Sequence, residues 1–221
     1  MQTYLPDTHP PIWTVDPDIP SAKIIEEAAQ LIIQGGVVVY PTETLYALGG
    51  HPMLINSIKR IFDIKGRNTD KPLPLIAATA EDVRKAVDDW PASADKLAKS
   101  LWPGPLTLIL ASSERLPSEL SLSIGKVALR ISSHPVASAL ATAVGGLLIS
   151  TSANISGQAA VDDPACIAPD LLFKADGLIE CGKIRGGGGL PSTIVDVSAG
   201  PPRLIRKGCI SWARIQEVLN F

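Results

Sequence analysis

Apolar and polar positions along the chain follow two different spacings. From Ser21 the apolar residues recur at the spacing of one helix face, and Gly35 is placed to end that helix. Residues 37–40 form a continuous apolar run that Pro41 closes, which predicts a buried strand. The chain therefore opens with one helix and one strand.

The same two patterns alternate towards the C-terminus. Apolar runs predict further strands at 72–78, 106–110, 126–131, 147–150, 178–180, 192–197 and 203–206. Helical spacing predicts further helices through Leu54, Ile58, Ile61 and Phe62, and at 80–87, 93–101, 136–144, 165–174 and from Ser211 onward.

The order of these elements predicts the fold class. Strands and helices alternate without the shift in composition that would mark a linker. Residues 21–221 are therefore predicted to form one α/β domain, with a twisted, mixed open sheet and flanking helices. Residues 1–20 contain five prolines and are predicted to form an extended arm that lies along the surface or stays loose.

The charge balance limits the function classes. The 221 residues carry 20 Lys and Arg against 22 Asp and Glu, a net charge of -2, which argues against coating nucleic acid non-specifically. The charge is uneven, because residues 59–71 hold five basic and two acidic side chains, or +3. Such a cluster indicates a small anionic ligand, and a solvated helix face is the alternative.

Cysteine and histidine spacing gives no metal or disulfide signal. Cys166, Cys181 and Cys209 form no C-x-x-C pair, and the histidines form no H-x-x-x-H pair, so we predict no tightly bound metal. The N-terminal residues lack the basic and apolar regions of a signal peptide. No apolar run approaches the roughly 18 residues of a membrane helix. A cytoplasmic location without a membrane partner is predicted.

Two cationic positions are candidates for binding anions. In the segment 65–67, Gly66 permits a tight turn, so Lys65 and Arg67 could converge on one polyphosphate. Arg130 ends an apolar strand, and it should meet a carboxylate or a phosphate because an unpaired buried guanidinium is costly. A purely structural ion pair is the alternative for Arg130.

Polar residues that follow strands are the other candidates. Ser152 and Asn154 suit hydrogen bonding to a ligand at a strand end, although they could equally form a turn that caps a helix. Residues 42–44 also follow a strand and could be only a polar turn. The four glycines at 186–189 predict a flexible surface loop or hinge.

Six segments in this order resemble the YrdC-like family, the threonylcarbamoyl-AMP synthases, and the resemblance runs from about residue 20 to about 211. They are YPTETLYALG at 40–49, KGR at 65–67 with KPL at 71–73, WPGPLT at 102–107, R-x-x-x-HP from Arg130, STSANISG at 150–157 and STIVD at 192–196. The resemblance implies the short, single-domain form of the family, with a cationic concave groove.

The resemblance also implies a reaction. L-threonine and bicarbonate form a carbamate, which attacks the α-phosphate of ATP. Pyrophosphate leaves, and threonylcarbamoyl-AMP passes to a transferase complex that modifies the adenosine beside the tRNA anticodon. ATP would enter as its Mg2+ complex, as a substrate, with the ion held mainly by phosphates.

Residue roles follow from the matched motifs. The catalytic residues implied are Lys65 and Arg67. The residues implied to bind ATP are Lys65, Arg67, Lys71, Asn154 and Arg206. Those implied to bind L-threonine are Thr44, Arg130, Ser152 and Ser192, with Arg130 binding the carboxylate.

The sequence departs from the usual motifs at Ala47, Pro191 and Lys207. YALG and the glycine-rich approach to residue 192 also resemble a YciO-like subgroup, so the paralogue stays open. Two other functions remain as alternatives. One is an RNA-binding or ribosome-maturation factor that uses the same groove without chemistry, with weak RNA binding. The other is a nucleotide-dependent transferase that acts on another amine.

Overall fold

The structure is a computed structural model that describes residues 10–66, 73–121 and 125–220. The strands are β1 (Ile12–Thr14), β2 (Val37–Pro41), β3 (Tyr46–Gly50), β4 (Leu75–Ala77), β5 (Leu106–Ala111), β6 (Lys126–Arg130), β7 (Leu147–Ile149), β8 (Thr151–Ser152), β9 (Gly177–Glu180), β10 (Thr193–Asp196) and β11 (Arg203–Arg206). The helices are α1 (Ala22–Ile33), α2 (Ile55–Lys65), α3 (Ala80–Lys85), α4 (Ala92–Leu101), α5 (Pro135–Ala143), α6 (Pro169–Lys174) and α7 (Trp212–Leu219).

The strands form two mixed sheets. The first has the order β1-β9-β2-β3-β8 and the second has the order β11-β10-β5-β6-β4-β7. Each sheet combines parallel pairs, such as β2 with β9 and β5 with β10, with antiparallel pairs. The predicted α/β domain with mixed strands and flanking helices is confirmed, but the strands divide between two sheets instead of one.

The first sheet contains the strand β3, which the apolar pattern did not predict. It pairs antiparallel with β2 and then with β8, so the first sheet has its own hairpin. It ends in Gly49 and Gly50, which weaken a strand signal. A side chain at Gly49 would overlap the carbonyl of Ile149 and the ring of Tyr40. Close approach of the backbones therefore requires glycine where the pattern expects an apolar side chain.

Strand β2 is buried on both faces, which explains its continuous apolar run. Val37 and Val39 pack into the cluster shared with α2 and the second sheet. Val38 and Tyr40 face the opposite way, into the cluster formed with α1 and α5. The alternation of side chains along a strand thus places one strand in both cores of the molecule.

The clearest differences from the predicted elements are at 165–174 and in the proline-rich N-terminal segment. The helix predicted over 165–174 is a short 3-10 turn at Pro164–Cys166 followed by α6, which begins at Pro169. Proline disfavours helical geometry at the residue before it, so Ala168 interrupts the helix. Residues 12–14 of the proline-rich segment form the edge strand β1, parallel to β9. None of the helices within the described ranges is long and apolar enough to cross a membrane.

Candidate functional site

A cavity of about 340 Å³ lies between the second sheet and the turn that joins β2 to β3. Its floor takes every second residue of three adjacent strands, Thr107, Ile109, Ala128, Arg130 and Ile194. The intervening side chains, such as Leu108 and Leu129, are fully buried in the core. One face of the sheet therefore carries the core, and the other carries the site.

The opposite wall is the turn at 42–44. The Thr42 hydroxyl donates to the carbonyl of Leu45 at 2.7 Å and accepts from the backbone N–H groups of Thr44 and Leu45. The Thr42 and Thr44 hydroxyls also lie 3.0 Å apart. This threonine turn is buried and fixes the Thr44 side chain at the edge of the cavity. Residues 42–44 are therefore a part of the cavity wall and not only a polar turn.

Arg130 lines the cavity and is paired with Glu43. Its side chain is 8% exposed, and its Nη1 donates to Oε1 of Glu43, which is 11% exposed. The Ser132 hydroxyl donates to the other carboxylate oxygen. Within residues 10–66, 73–121 and 125–220, Glu43 is the one hydrogen-bond partner of the guanidinium. A guanidinium has five N–H donors, so Arg130 keeps donors for a ligand.

Lys65 lies under the loop that carries Ser152 and Asn154. Its side chain is almost fully buried, and its ammonium donates to the carbonyls of Ser152 and Asn154 at 2.5 and 2.8 Å. It also contacts Oδ1 of Asn154 at 3.2 Å. Gly66 ends α2 in the left-handed conformation, with φ of 55°. The ammonium therefore fixes the shape of the loop at 152–154.

Arg206 holds the strand end that carries Ser192. Its guanidinium donates twice to the carbonyl of Ser192, at 3.1 and 2.8 Å, and once to the Ser192 hydroxyl at 3.0 Å. The Ser192 and Thr107 hydroxyls lie 2.8 Å apart. These three side chains line the same side of the cavity and join β5, β10 and β11 at one point.

Ser150 adds a further hydroxyl group to the cavity wall. It is 9% exposed, and its Oγ makes no hydrogen bond of good geometry among the residues that the structure describes, although it lies close enough to the Tyr40 hydroxyl to lower the pKa of that group. A buried polar group without a partner costs free energy unless a ligand or water satisfies it. The Ser150 hydroxyl is thus placed to meet a bound molecule.

The glycine loop at 186–189 packs against the threonine turn. A side chain at Gly187 would come within 2.8 Å of the Thr44 Cα, and one at Gly186 within 3.1 Å of the Glu43 carbonyl. Cys209 also contacts this loop, with its Sγ 3.6 Å from the carbonyl of Gly187. Burial raises the pKa of this thiol. The loop, predicted to be a flexible surface loop or hinge, is exposed at Gly186, Gly188 and Gly189 and packs against the cavity wall through Gly187.

Burial also shifts the pKa of two groups near Arg130. It raises the pKa of Tyr40, whose hydroxyl donates to the carbonyl of Ile149 at 3.1 Å. It lowers the pKa of His134, whose Nδ1 accepts from the backbone N–H of Val136 and caps α5. Both groups are therefore held neutral. Within the described residues, no three His, Cys, Asp or Glu side chains are grouped to hold a metal ion.

The structure brings together five of the predicted site residues at this cavity: Thr44, Arg130, Ser152, Ser192 and Arg206. Lys65 and Asn154 lie beside it and contact Ser152. Arg67 and Lys71 lie outside the described residues.

Sequence reasoning did not assign Thr107, Ser132 or Ser150 to the site, and it left Glu43 within a possible polar turn. Thr107 gave a signal, because it is the polar residue of the otherwise apolar run at 106–110. Ser132 gave a weaker one, because it is two residues after Arg130 and an extended chain puts both on the same face. Pairing of Glu43 with Arg130 links positions 87 residues apart, and no local pattern predicts it.

Comparison with known proteins identifies relatives over most of the chain. A family profile of Sua5, YciO and YrdC proteins, described as "Telomere recombination", matches residues 30–208. A protein named threonylcarbamoyl-AMP synthase from Pyrococcus abyssi is 36% identical over 89% of the chain. One of the same name from Chromobacterium violaceum is 36% identical over 83%. The chain spans 57% of the former protein and 94% of the latter.

Solved structures agree with this family. The P. abyssi Sua5 structure complexed with L-threonine matches with a TM-score of 0.89 and 35% identity, over 94% of this chain and 60% of that one. The Escherichia coli YciO structure matches with a TM-score of 0.81 and 28% identity, over 89% of this chain and 95% of that one.

Proposed function

Because this chain belongs to the Sua5/YciO/YrdC family, we propose that it is an enzyme that forms threonylcarbamoyl-AMP and pyrophosphate from L-threonine, bicarbonate and ATP. Relatives named for that activity are 33–36% identical to it over most of its length. The observation that carries the proposal is Arg130, a buried guanidinium with donors to spare that faces a cavity rich in hydroxyl groups.

L-threonine is the amino-acid substrate in this proposal. Its carboxylate pairs with Arg130, because a guanidinium binds a carboxylate through parallel N–H donors. The hydroxyl groups of Thr44, Ser152 and Ser192 bind the remaining polar groups of threonine. The complex of P. abyssi Sua5 with L-threonine supports this choice over another amine.

ATP occupies the part of the cavity that Arg206 and Ser152 line. Asn154 and Arg206 contact the nucleotide, together with Arg67 and Lys71 from the segment outside the described residues. The substrate is the Mg2+ complex of ATP, whose phosphate oxygens hold the ion. Lys65 takes part by fixing the loop and by placing positive charge near the phosphates.

Catalysis in this proposal needs no protein nucleophile. The carbamate oxygen attacks the α-phosphorus, the bond to the pyrophosphate oxygen breaks, and the leaving group takes the electron pair. Holding the carbamate and the ATP phosphates in line lowers the activation free energy by at most about 7–11 kcal/mol through effective molarity. Cations that neutralise the charge developing at the phosphate lower the activation free energy further. The cationic set Lys65, Arg67 and Arg206 fits this role.

The product is a reactive mixed anhydride that a second enzyme must consume. We propose that a tRNA-modifying transferase complex in the cytoplasm receives it. The net charge of -2 fits an enzyme that releases a small molecule and binds RNA only weakly.

Pyrophosphate release from ATP tests the proposal. The purified protein is incubated with MgATP, L-threonine and bicarbonate, and each of the last two is omitted in turn. Release that needs both supports the synthase. Release that ignores threonine contradicts it, and RNA binding with a steep salt dependence and no pyrophosphate release indicates an RNA-binding factor instead.

A further inference from the structure

The carboxylate of Glu43 lies on the far side of Arg130 from the candidate site. Arg130 lines the cavity of about 340 Å³, and Glu43 lines a different cavity of about 520 Å³ together with His134 and residues 16–18. The ion pair between the two side chains therefore forms part of the wall between the two cavities. Glu43 touches Arg130 and not the space that a ligand would fill.

Both oxygens of Glu43 are bound by one short stretch of chain. Oε1 accepts from Arg130 and Oε2 accepts from the hydroxyl of Ser132. Ser132 in turn accepts from the backbone N–H of His134 at 3.2 Å, so its hydroxyl hydrogen is directed to the carboxylate. An extended chain places residues 130 and 132 on the same face, which matches the two oxygens of one carboxylate.

The backbone of Glu43 is equally constrained. The Thr42 hydroxyl fixes the turn on one side of it. Gly186 and Gly187 pack against its carbonyl and against Thr44 on the other side. The carboxylate is therefore a fixed point and not a mobile surface acid. Charge-assisted hydrogen bonds to such a point hold a guanidinium in one orientation.

We propose that Glu43 is the positioning residue that orients Arg130 towards the amino-acid carboxylate, with Ser132 as its second anchor. This inference rests on the proposed function, because it assigns the carboxylate of L-threonine to Arg130. Glu43 also offsets the charge of Arg130, so an anion binds through oriented N–H donors and not through net charge alone. The amino-acid half of the reaction should therefore depend on Glu43 more than the nucleotide half.

Steady-state pyrophosphate release tests this with Ser132→Ala and Glu43→Gln. Ser132→Ala keeps the ion pair and removes one anchor, and Glu43→Gln keeps the shape and removes the charge. We expect KM for threonine to rise about threefold or more in Ser132→Ala and about tenfold or more in Glu43→Gln, since a misoriented charged hydrogen bond loses at least that much. KM for ATP and kcat should stay within about twofold of the wild-type values. A raised KM with unchanged kcat is expected when an interaction is lost equally in the ground state and the transition state.

Two comparisons make the test decisive. The exposed Glu114→Gln is a matched control that undergoes the same chemical change away from both cavities, and it should behave as the wild type. In the Glu43→Gln background, Ser132→Ala should add little, because both act through one guanidinium. If circular dichroism shows that Glu43→Gln is not folded, the test rests on the kinetics of Ser132→Ala.

The inference is overturned if KM for threonine stays within about twofold in the folded variants, or if KM for ATP rises as much as KM for threonine. Wild-type protein that releases pyrophosphate without threonine would instead overturn the proposed function, and the assignment of Glu43 with it. The two failures are distinguished by the wild-type reaction, which is measured first.

Discussion

Single residues of the site are mostly engaged with one another before any ligand binds. Arg206 makes three hydrogen bonds to Ser192, and the Lys65 ammonium contacts three oxygens of the loop at 152–154. Such contacts fix the positions of the charged groups, which lowers the entropy lost when a ligand binds. Among the described residues, the Arg130 guanidinium keeps N–H donors for a ligand, because Glu43 takes only part of its hydrogen-bonding capacity.

Ser150 offers a prediction in which stability and activity move in opposite directions. Its buried hydroxyl lies near the Tyr40 hydroxyl but makes no hydrogen bond of good geometry among the described residues, so Ser150→Ala should raise the free energy of unfolding by up to about 1 kcal/mol. If the hydroxyl binds a substrate, KM for threonine or for ATP should rise in the same variant. Chemical denaturation and the pyrophosphate assay measure the two effects.

Ser57 provides the matched control. Its hydroxyl is also buried without a partner within the described ranges, but it lies on α2, away from the cavity. Ser57→Ala should stabilise the protein to a similar extent and leave both KM values unchanged. Equal kinetic effects in the two variants, or none in either, would contradict a ligand contact at Ser150.

Whole elements depend on close approach at a few glycines. The glycine loop supports the threonine turn because Gly187 has no side chain to collide with Thr44. Gly187→Ala should therefore push the two apart, lower the free energy of unfolding by about 1–3 kcal/mol and raise KM for threonine.

Gly186→Ala is the milder neighbour, because its added carbon would meet only the Glu43 carbonyl, at 3.1 Å. Its effect on stability should be smaller than that of Gly187→Ala, as measured by thermal unfolding. A Gly187→Ala variant with wild-type stability and kinetics would mean that the loop yields freely and does not support the wall.

The start of α5 gives a pH prediction. Burial lowers the pKa of His134, the opposing influences of Glu43 and Asp18 are weaker, and Arg130 acts in the same direction as burial. The unfolded state therefore takes up the proton first, so stability present above about pH 6.5 is lost as the pH falls. Protonation also removes the acceptor that caps Val136.

His134→Asn should reduce this loss of stability between about pH 7 and pH 5, because asparagine can cap a helix without titrating. The measurement is the midpoint of urea unfolding at several pH values. If stability depends on pH as steeply in the variant as in the wild type, the dependence has another source. The candidate is then His51, because burial also lowers its pKa.

At the scale of elements, the sequence predicts what local spacing encodes. The helix after Ser21 and the buried strand at 37–40 are confirmed because one amphipathic face and one doubly buried run each leave a periodic signal. Strand β3 left no such signal, because close backbone contact requires glycine at Gly49 and Gly50. The division into two sheets left none either, because the strands that pair are far apart in sequence.

The whole molecule joins its two sheets at the candidate site. The threonine turn of the first sheet contacts the floor of the second through the pairing of Glu43 with Arg130. Motifs that resemble a known family marked most residues of this site, such as Arg130 and Ser192, without showing how they meet. The partners behind them, Glu43 and Ser132, required the folded chain, because their contacts depend on tertiary packing and not on local pattern.

The most direct test of the synthase proposal follows the carbon of bicarbonate. Purified protein is incubated with MgATP, L-threonine and isotope-labelled bicarbonate, and the adenylates are separated and identified by mass spectrometry. We expect an adenylate that contains both threonine and the label, formed together with pyrophosphate and lost in Arg130→Leu. Pyrophosphate release with no labelled threonine adenylate would contradict the proposal.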